Sequence, residues 1–120
     1  DAGATLSNEK VTGVVVTGDQ IEVTTEAGTK SADFVVLGEG KQMPLADALG
    51  IQTSDGDDEI VSVDRNGKTE IEGVYVVGRS ARPTRSQAII SAGDGAAAAL
   101  DILSQIEGKD VQDWDSPPKD

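Results

Sequence analysis

The chain contains no cysteine and no histidine. Without cysteine there is no disulfide framework, no Cys-containing metal site and no dithiol redox pair. Without histidine the commonest general base is missing, along with Ser-His and Cys-His nucleophile arrangements and imidazole metal sites. Aromatic residues are scarce: Phe34, Tyr75 and Trp114 are the full set. Val, Ile, Leu and Ala must therefore supply the packing, and an aromatic stacking surface for single-stranded nucleic acid is excluded. No unbroken apolar run approaches the ~20 residues needed to span a membrane, and no basic, apolar leader with a small-residue cleavage site precedes the domain. These absences lead us to expect a soluble, cytoplasmic protein. The first residue is Asp rather than Met, which fits a fragment or a processed product.

Positive charge is also in short supply. Ten basic residues face 22 acidic ones, for a formal net charge of −12. Such self-repulsion favours solubility and disfavours nucleic acid or an anionic membrane as partners. The acids are spread along the chain rather than gathered in one tail, as in proteins adapted to high salt, where screening removes the repulsion. A halophilic type is expected; an ordinary acidic cytosolic domain is the plainer reading.

A length of 120 residues suits one domain that buries roughly two-thirds of the unfolded chain's surface. Residues 1–10 carry little apolar pattern and read as a lead-in. Val11 to Thr17 is β-branched apart from Gly13, and Gly18-Asp19 is a good hairpin turn into Ile21 to Thr25. A second turn at Glu26 to Gly28 leads to Thr29 to Ala32, so residues 11–32 form a three-stranded antiparallel meander. Asp33 to Leu37 reads as a buried strand ending in Gly38-Glu39-Gly40. Pro44 to Leu49 fits a short helix with Pro in its first turn and Gly50 as its stop. Ile60 to Asp64 is predicted as a strand, Arg65 to Lys68 as a turn, and residues 71–77 as another strand.

The run Val74 to Val77 is apolar without alternation and stops at Gly78, as expected for a strand covered on both faces. From Gln87 the period changes to 3.6. Ile89, Ala92, Ala96, Ala99, Leu100, Leu103 and Ile106 form one apolar stripe, which asks for a packed helix. Glycine inside a helix costs about 1 kcal/mol relative to Ala, so Gly93 and Gly95 suggest close contact with a neighbour. Residues 108–120 form an acidic, flexible tail in which Trp114 is expected to dock on this domain or on a symmetry mate.

Two motifs that could carry chemistry are set aside. Gly38-Glu39-Gly40 opens like a Gly-x-Gly-x-x-Gly fingerprint, but Met43 stands where the third glycine belongs. The acids Asp55, Asp57, Asp58 and Glu59 lack the ligand spacing of a calcium loop and read as a solvated loop. No catalytic acid, base, nucleophile or metal ligand is assigned. Arg79, Arg82 and Arg85 lie within seven residues that contain no acid. They make either an anion-binding loop, using the fork geometry of Arg, or a set of partners for nearby acids such as Asp94 or the tail.

Thr-x-Ile-x-Gly-Val-Tyr-x-x-Gly from Thr69 to Gly78, followed by Gln-Ala-x-x-x-Ala-Gly-x-Gly-x-x-Ala-Ala from Gln87 to Ala99, resembles the C-terminal part of the FAD-binding domain of thioredoxin-reductase-like flavoproteins. The resemblance is specific over residues 69–103 and extends more loosely back to Val11. It implies an α/β fold: a portion of an FAD/NAD(P)-binding, Rossmann-like domain with a three-stranded β-meander and a long C-terminal helix, spanning residues 11–107. In that family the strand-end glycine, here Gly78, approaches the FAD diphosphate and ribityl chain, and Gln87 and Ala88 open a helix aimed at the flavin ring. Gly38 and Gly40 match the glycine-bearing end of the meander-linked strand, which touches the diphosphate; Glu39 between them would repel phosphate unless it turns away. Val11 completes the implied cofactor-binding set. The family has Asp where this chain has Arg79.

The Gly-x-Gly-x-x-Gly strand-turn-helix unit that opens such a domain is not found in residues 1–10, and about twenty residues between Gly40 and Ile60 are too few for a nicotinamide-binding domain. The expected partner is therefore an N-terminal FAD-binding segment or chain, with a homodimer as a further expectation. The other reading is a cofactor-free module that kept the fold as an interaction or dimerisation domain. A dithiol thioredoxin reductase is excluded by the missing cysteines, and the chain alone is not expected to be competent.

Overall fold

The computed structural model describes residues 3–53 and 60–112. The acidic run Asp55 to Glu59 and Trp114 lie outside the described residues. β1 (Val11–Thr17), β2 (Gln20–Thr25) and β3 (Gly28–Ala32) form the antiparallel meander, in the order β1-β2-β3. β-branched residues at alternate positions favour it, and Val14 and Ile21 bury their side chains at 1 % and 2 % exposure. A second, separate sheet pairs β4 (Val35–Leu37) with β5 (Val74–Val76) in parallel. The short helix α1 (Pro44–Ala48) follows β4, and α2 (Ala88–Glu107) ends the fold. The architecture is thus mixed α/β, with the meander and long C-terminal helix that the sequence leads one to expect.

The core joins these parts. Val14 and Ile21 from the meander, Leu37, Val74 and Val76 from the parallel pair, Met43 and Ala46 around α1, and Ile51 and Val61 from the connections make one buried cluster. α1 is a single turn and a half, and its N-terminus is held by a side chain from the preceding turn. The Glu39 carboxylate accepts the amides of Leu45 at 2.9 Å and Ala46 at 3.2 Å, which satisfies donors that the helix cannot pair internally.

Several expectations are corrected. Residues 60–64 do not form a strand; a single bridge joins Val61 to Thr53. Their amides go elsewhere, Val61 to the Ser80 carbonyl and Asp64 to the Lys68 carbonyl. The Asp64 side chain then accepts the amides of Asn66 at 2.8 Å and Lys68 at 2.9 Å, an Asx turn that competes with sheet pairing. The strand expected over 71–77 shrinks to three residues because the chain turns at Ile71 to Val74, where the Val74 amide reaches the Ile71 carbonyl. Gly73 permits that turn: its φ is +83°, and a Cβ there would sit 2.7 Å from the Asp33 carbonyl oxygen. Val36, expected in a buried strand, is 46 % exposed.

The largest correction concerns α2. Its apolar stripe points outward: Ile89 is 79 % exposed, Leu103 40 % and Ile106 66 %, with Ala92, Ala96 and Ala99 also exposed. The face turned to the body is small and polar. Ala98 is fully buried, Asp101 accepts a hydrogen bond from the Tyr75 hydroxyl, and Gln105 donates to the same hydroxyl. Gly93 and Gly95 have open space where a Cβ would stand, so neither marks a close contact among the described residues. The helix is also long and apolar enough to cross a membrane by length and composition, which the count of unbroken apolar runs does not reveal. Asp94 and Asp101 near its middle bond to Arg82 and Tyr75 of the same chain, and a carboxylate at mid-bilayer costs about 2.5–3.5 kcal/mol. α2 ends at Gly108 in the left-handed conformation, with its amide bonded to the Ser104 carbonyl.

Candidate functional site

β4 and β5 run in the same direction, so their C-terminal ends lie side by side. In open α/β sheets this is where ligands bind. Gly38-Glu39-Gly40 follows β4, while Gly78 to Ser80 follows β5 as a single 3-10 turn. Ser80 ties the two ends together. Its hydroxyl is fully buried, donates to the Gly40 carbonyl at 2.9 Å and accepts the Gly40 amide at 3.1 Å. The clasp places two of the glycines named from sequence, Gly40 and Gly78, on joined turns. Glu39, by capping α1, carries its carboxylate away from those turns' amides.

Gly78 has a φ of +73°, and an added Cβ would come within 3.6 Å of Ser91 Oγ on α2. The first turn of α2 thus lies beside the end of β5. Gln87 is the N-cap, makes no side-chain cap, and no acid occupies the first turn. The amides of Ala88, Ile89 and Ile90 have no intrahelical partner by geometry, so they and the helix dipole present positive potential there. Gln87, Ala88 and Gly38 are exposed, and Gly40, Gly78 and Arg79 are half-buried. None of the three exposed groups is sealed beneath its own side chain.

The arginines divide. Arg82 Nε donates to both oxygens of Asp94, at 2.9 and 3.0 Å, so for this residue the neutralising reading holds. Asp94 also accepts the Gly78 amide at a long 3.4 Å. Arg79 is different: its Nε is buried and has no hydrogen-bond partner among the described residues. A buried donor left unpaired costs about 1–3 kcal/mol, more when charged, so the position calls for an acceptor. No ion pair of Arg85 occurs among the described residues.

An anionic cofactor fits these groups in three respects. Arg79 offers a buried donor without a partner among the described residues, the α2 N-terminus offers unfilled amides, and the acid beside Gly78, Asp94, is already held by Arg82 and Gly78. Val11 stands apart from this assembly. It begins β1, opposite Thr25, and packs against the core cluster. Sequence reasoning missed Ser80 altogether, since a serine after Gly-Arg carries no signal, and it missed the Tyr75, Asp101 and Gln105 contact behind the strand. The seven-residue spacing of Asp94 and Asp101, two turns apart on one helix face, is the feature that could have located the inward side of α2.

Burial pushes the Tyr75 phenol well above its ordinary value, and the hydrogen bond to Asp101 adds to the shift. The hydroxyl stays protonated and donates throughout the physiological range. It anchors α2 to β5, the strand that leads into the Gly78 turn.

The fold matches solved structures. A thioredoxin reductase from Gloeobacter violaceus superposes with a TM-score of 0.79 at 14% identity, over 93% of this chain and 75% of that one. A ferredoxin-flavin thioredoxin reductase from Clostridium acetobutylicum gives 0.67 at 15% identity, over 88% of this chain and 74% of that one. At these identities the likeness is one of fold. No protein-family model matches the chain, and no curated protein matches it.

Proposed function

We propose that this chain is the C-terminal segment of an FAD-dependent oxidoreductase of the thioredoxin-reductase-like class. It completes a flavin site together with an N-terminal segment that carries the Gly-x-Gly-x-x-Gly turn. The observation that carries this reading is the convergence, at two parallel strand ends, of the unpaired Arg79 Nε, the uncapped α2 N-terminus and the Gly78 turn. Bound flavin supplies the redox chemistry. The chain's own residues bind and orient: Arg79 pairs a phosphate oxygen, Gly38, Gly40 and Gly78 let the backbone approach, and Gln87 and Ala88 direct the helix dipole at the ring. Nothing in the chain is assigned a proton-transfer role, and with no cysteine the reaction is not a dithiol exchange within this chain. The setting is a cytoplasm, and the acidic surface suits high salt.

The test is to produce the chain with an N-terminal segment bearing a Gly-x-Gly-x-x-Gly turn and to examine the purified complex for flavin absorbance. A colourless complex that is folded and stoichiometric sinks the reading.

A second reading has its own observation. Leaving Ile89, Leu103 and Ile106 in water forfeits roughly 1.5–3 kcal/mol for each side chain that a partner could cover. Their spacing with Ala92, Ala96 and Ala99 alternates three and four residues, the seam of a two-helix packing. A cofactor-free module that dimerises through α2 follows from this face alone. Self-association that persists when every trace of flavin is absent favours it.

A further inference from the structure

The chain reverses at the end of α2 and starts back along the helix. Gly108, with a φ of +68°, makes the turn, and its amide and that of Lys109 both donate to the Ser104 carbonyl. The Val111 amide then donates to Ser104 Oγ at 2.9 Å, while that hydroxyl donates to the Leu100 carbonyl at 2.8 Å. One serine thus holds residues 108–111 against the last turns of α2.

Val111 and Gln112 border a cleft of about 380 Å³ whose other walls are Ala97, Leu100 and Ser104 of α2 and Asn66 of the 64–68 turn. Ala97 lies seven residues before Ser104, about 10 Å back along the helix axis. Ala97, Leu100, Asn66 and Val111 are each half-buried, so the apolar wall of the cleft is only partly covered. Asn66 Nδ2 donates to Asp101 at 3.3 Å, and the Asn66 side-chain oxygen has no hydrogen bond among the described residues. An apolar wall with one unused acceptor at its rim suits an amphipathic ring that has an apolar body and a single N–H.

The described residues stop at Gln112, and the sequence goes on as Asp113-Trp114-Asp115-Ser116-Pro117-Pro118-Lys119-Asp120. Two prolines in succession, and the restriction they place on the residue before them, favour the polyproline II conformation. With three residues per turn and a rise of about 3.1 Å, that conformation puts Val111, Trp114 and Pro117 on one face and carries Trp114 about 9 Å beyond Val111. The span matches the distance from Ser104 to Ala97. Asp113 and Asp115 fall on the other two sides of such a chain.

We propose that the C-terminal segment is a strap, which continues back along α2 and seats the Trp114 indole in the cleft formed by Ala97, Leu100 and Asn66. The indole N–H donates to the Asn66 side-chain oxygen, and Asp113 and Asp115 remain in water. The strap covers the bond between Asn66 and Asp101, and with it one side of the carboxylate that accepts the Tyr75 hydroxyl. Of the apolar stripe it takes only the Leu100 margin and leaves Ile89, Leu103 and Ile106 outside. It needs no cofactor, so it stands apart from the function proposed above.

Trp114 is the single tryptophan of the chain, so its fluorescence reports this contact directly. Emission of the folded chain should be shifted to the blue of the urea-unfolded chain, and acrylamide should quench it roughly fivefold less, as expected when a large apolar side chain is buried. Leu100→Glu, which brings a carboxylate into the cleft, should abolish both effects while far-ultraviolet circular dichroism is unchanged. A second measurement leaves the cleft intact, should that variant fail to fold. The chain has no cysteine, so a nitroxide on Ser116→Cys is unique, and it should broaden the amide resonances of Asn66 and Ala97 more than those of β3. Emission and quenching equal to those of the unfolded chain overturn the proposal, as does broadening that spares Asn66 and Ala97. A blue shift that Leu100→Glu leaves unchanged in a folded chain places the indole elsewhere and overturns it too. So does a blue shift that appears only as protein concentration rises, because the indole then sits on a second copy. Every one of these signals is read without flavin, and none depends on whether FAD binds.

Discussion

Ser80 and Gly40 are joined by two hydrogen bonds through one hydroxyl, which donates to the Gly40 carbonyl at 2.9 Å and accepts the Gly40 amide at 3.1 Å. The two residues are 40 positions apart, on turns that follow different strands. Replacing Ser80 with Ala leaves the carbonyl and amide of the half-buried Gly40 without this partner, at up to about 1–3 kcal/mol for a group left unsatisfied. The expected result is a lower urea midpoint of unfolding, with faster exchange at the Gly40 amide than at Val35 or Leu37. An unchanged midpoint would mean that water replaces the hydroxyl and that the clasp does not hold the strand ends.

Tyr75 gives a pH dependence. Its pKa in the folded chain lies above the ordinary phenol value of about 10. The folded state therefore retains the proton at pH values where the unfolded chain has lost it. Its contribution is fully present below about pH 10 and falls as pH rises beyond that. Urea midpoints measured between neutral and strongly alkaline pH should decline more steeply for the native chain than for a Tyr75→Phe variant. Parallel slopes would place the alkaline loss elsewhere.

Arg79→Asp separates two histories of the same position. Where Arg79 pairs a cofactor phosphate, the change removes a charge-assisted bond worth about 1.5–3 kcal/mol. FAD affinity of the completed protein should then fall by roughly tenfold to a hundredfold. Isothermal titration with FAD provides the measurement. A gain in affinity instead identifies the arginine as the mark of an eroded site.

The outward face of α2 is open to direct test. Leu103→Glu and Ile106→Lys alter side chains that are 40 % and 66 % exposed, so thermal stability of the isolated chain should change by less than about 0.5 kcal/mol. Association with a partner helix or a second copy should weaken, as read by sedimentation at several concentrations. Partition of the native chain into zwitterionic vesicles, without self-association, would assign the face to lipid.

Much of the local order follows from the amino-acid sequence alone. Gly18-Asp19 and the β-branched runs beside it specify the hairpin, Pro44 and Gly50 bracket α1, and the change of period at Gln87 marks the start of α2 within one residue. Those features act between near neighbours, so steric preference and periodicity reveal them. The candidate site was legible to the extent that Gly38, Gly40, Gly78, Gln87 and Ala88 stand at strand ends and a helix start. Long-range matters were not. Whether Ile60 to Asp64 pairs as a strand depends on Ser80 and Lys68 competing for its amides, and the inward face of α2 depends on Tyr75 presenting a hydroxyl to Asp101. An apolar stripe states that a surface prefers burial; it does not state which neighbour will bury it. Only the tertiary structure, by committing the polar face of α2 to Tyr75 and Arg82, decided that the apolar face would remain outside.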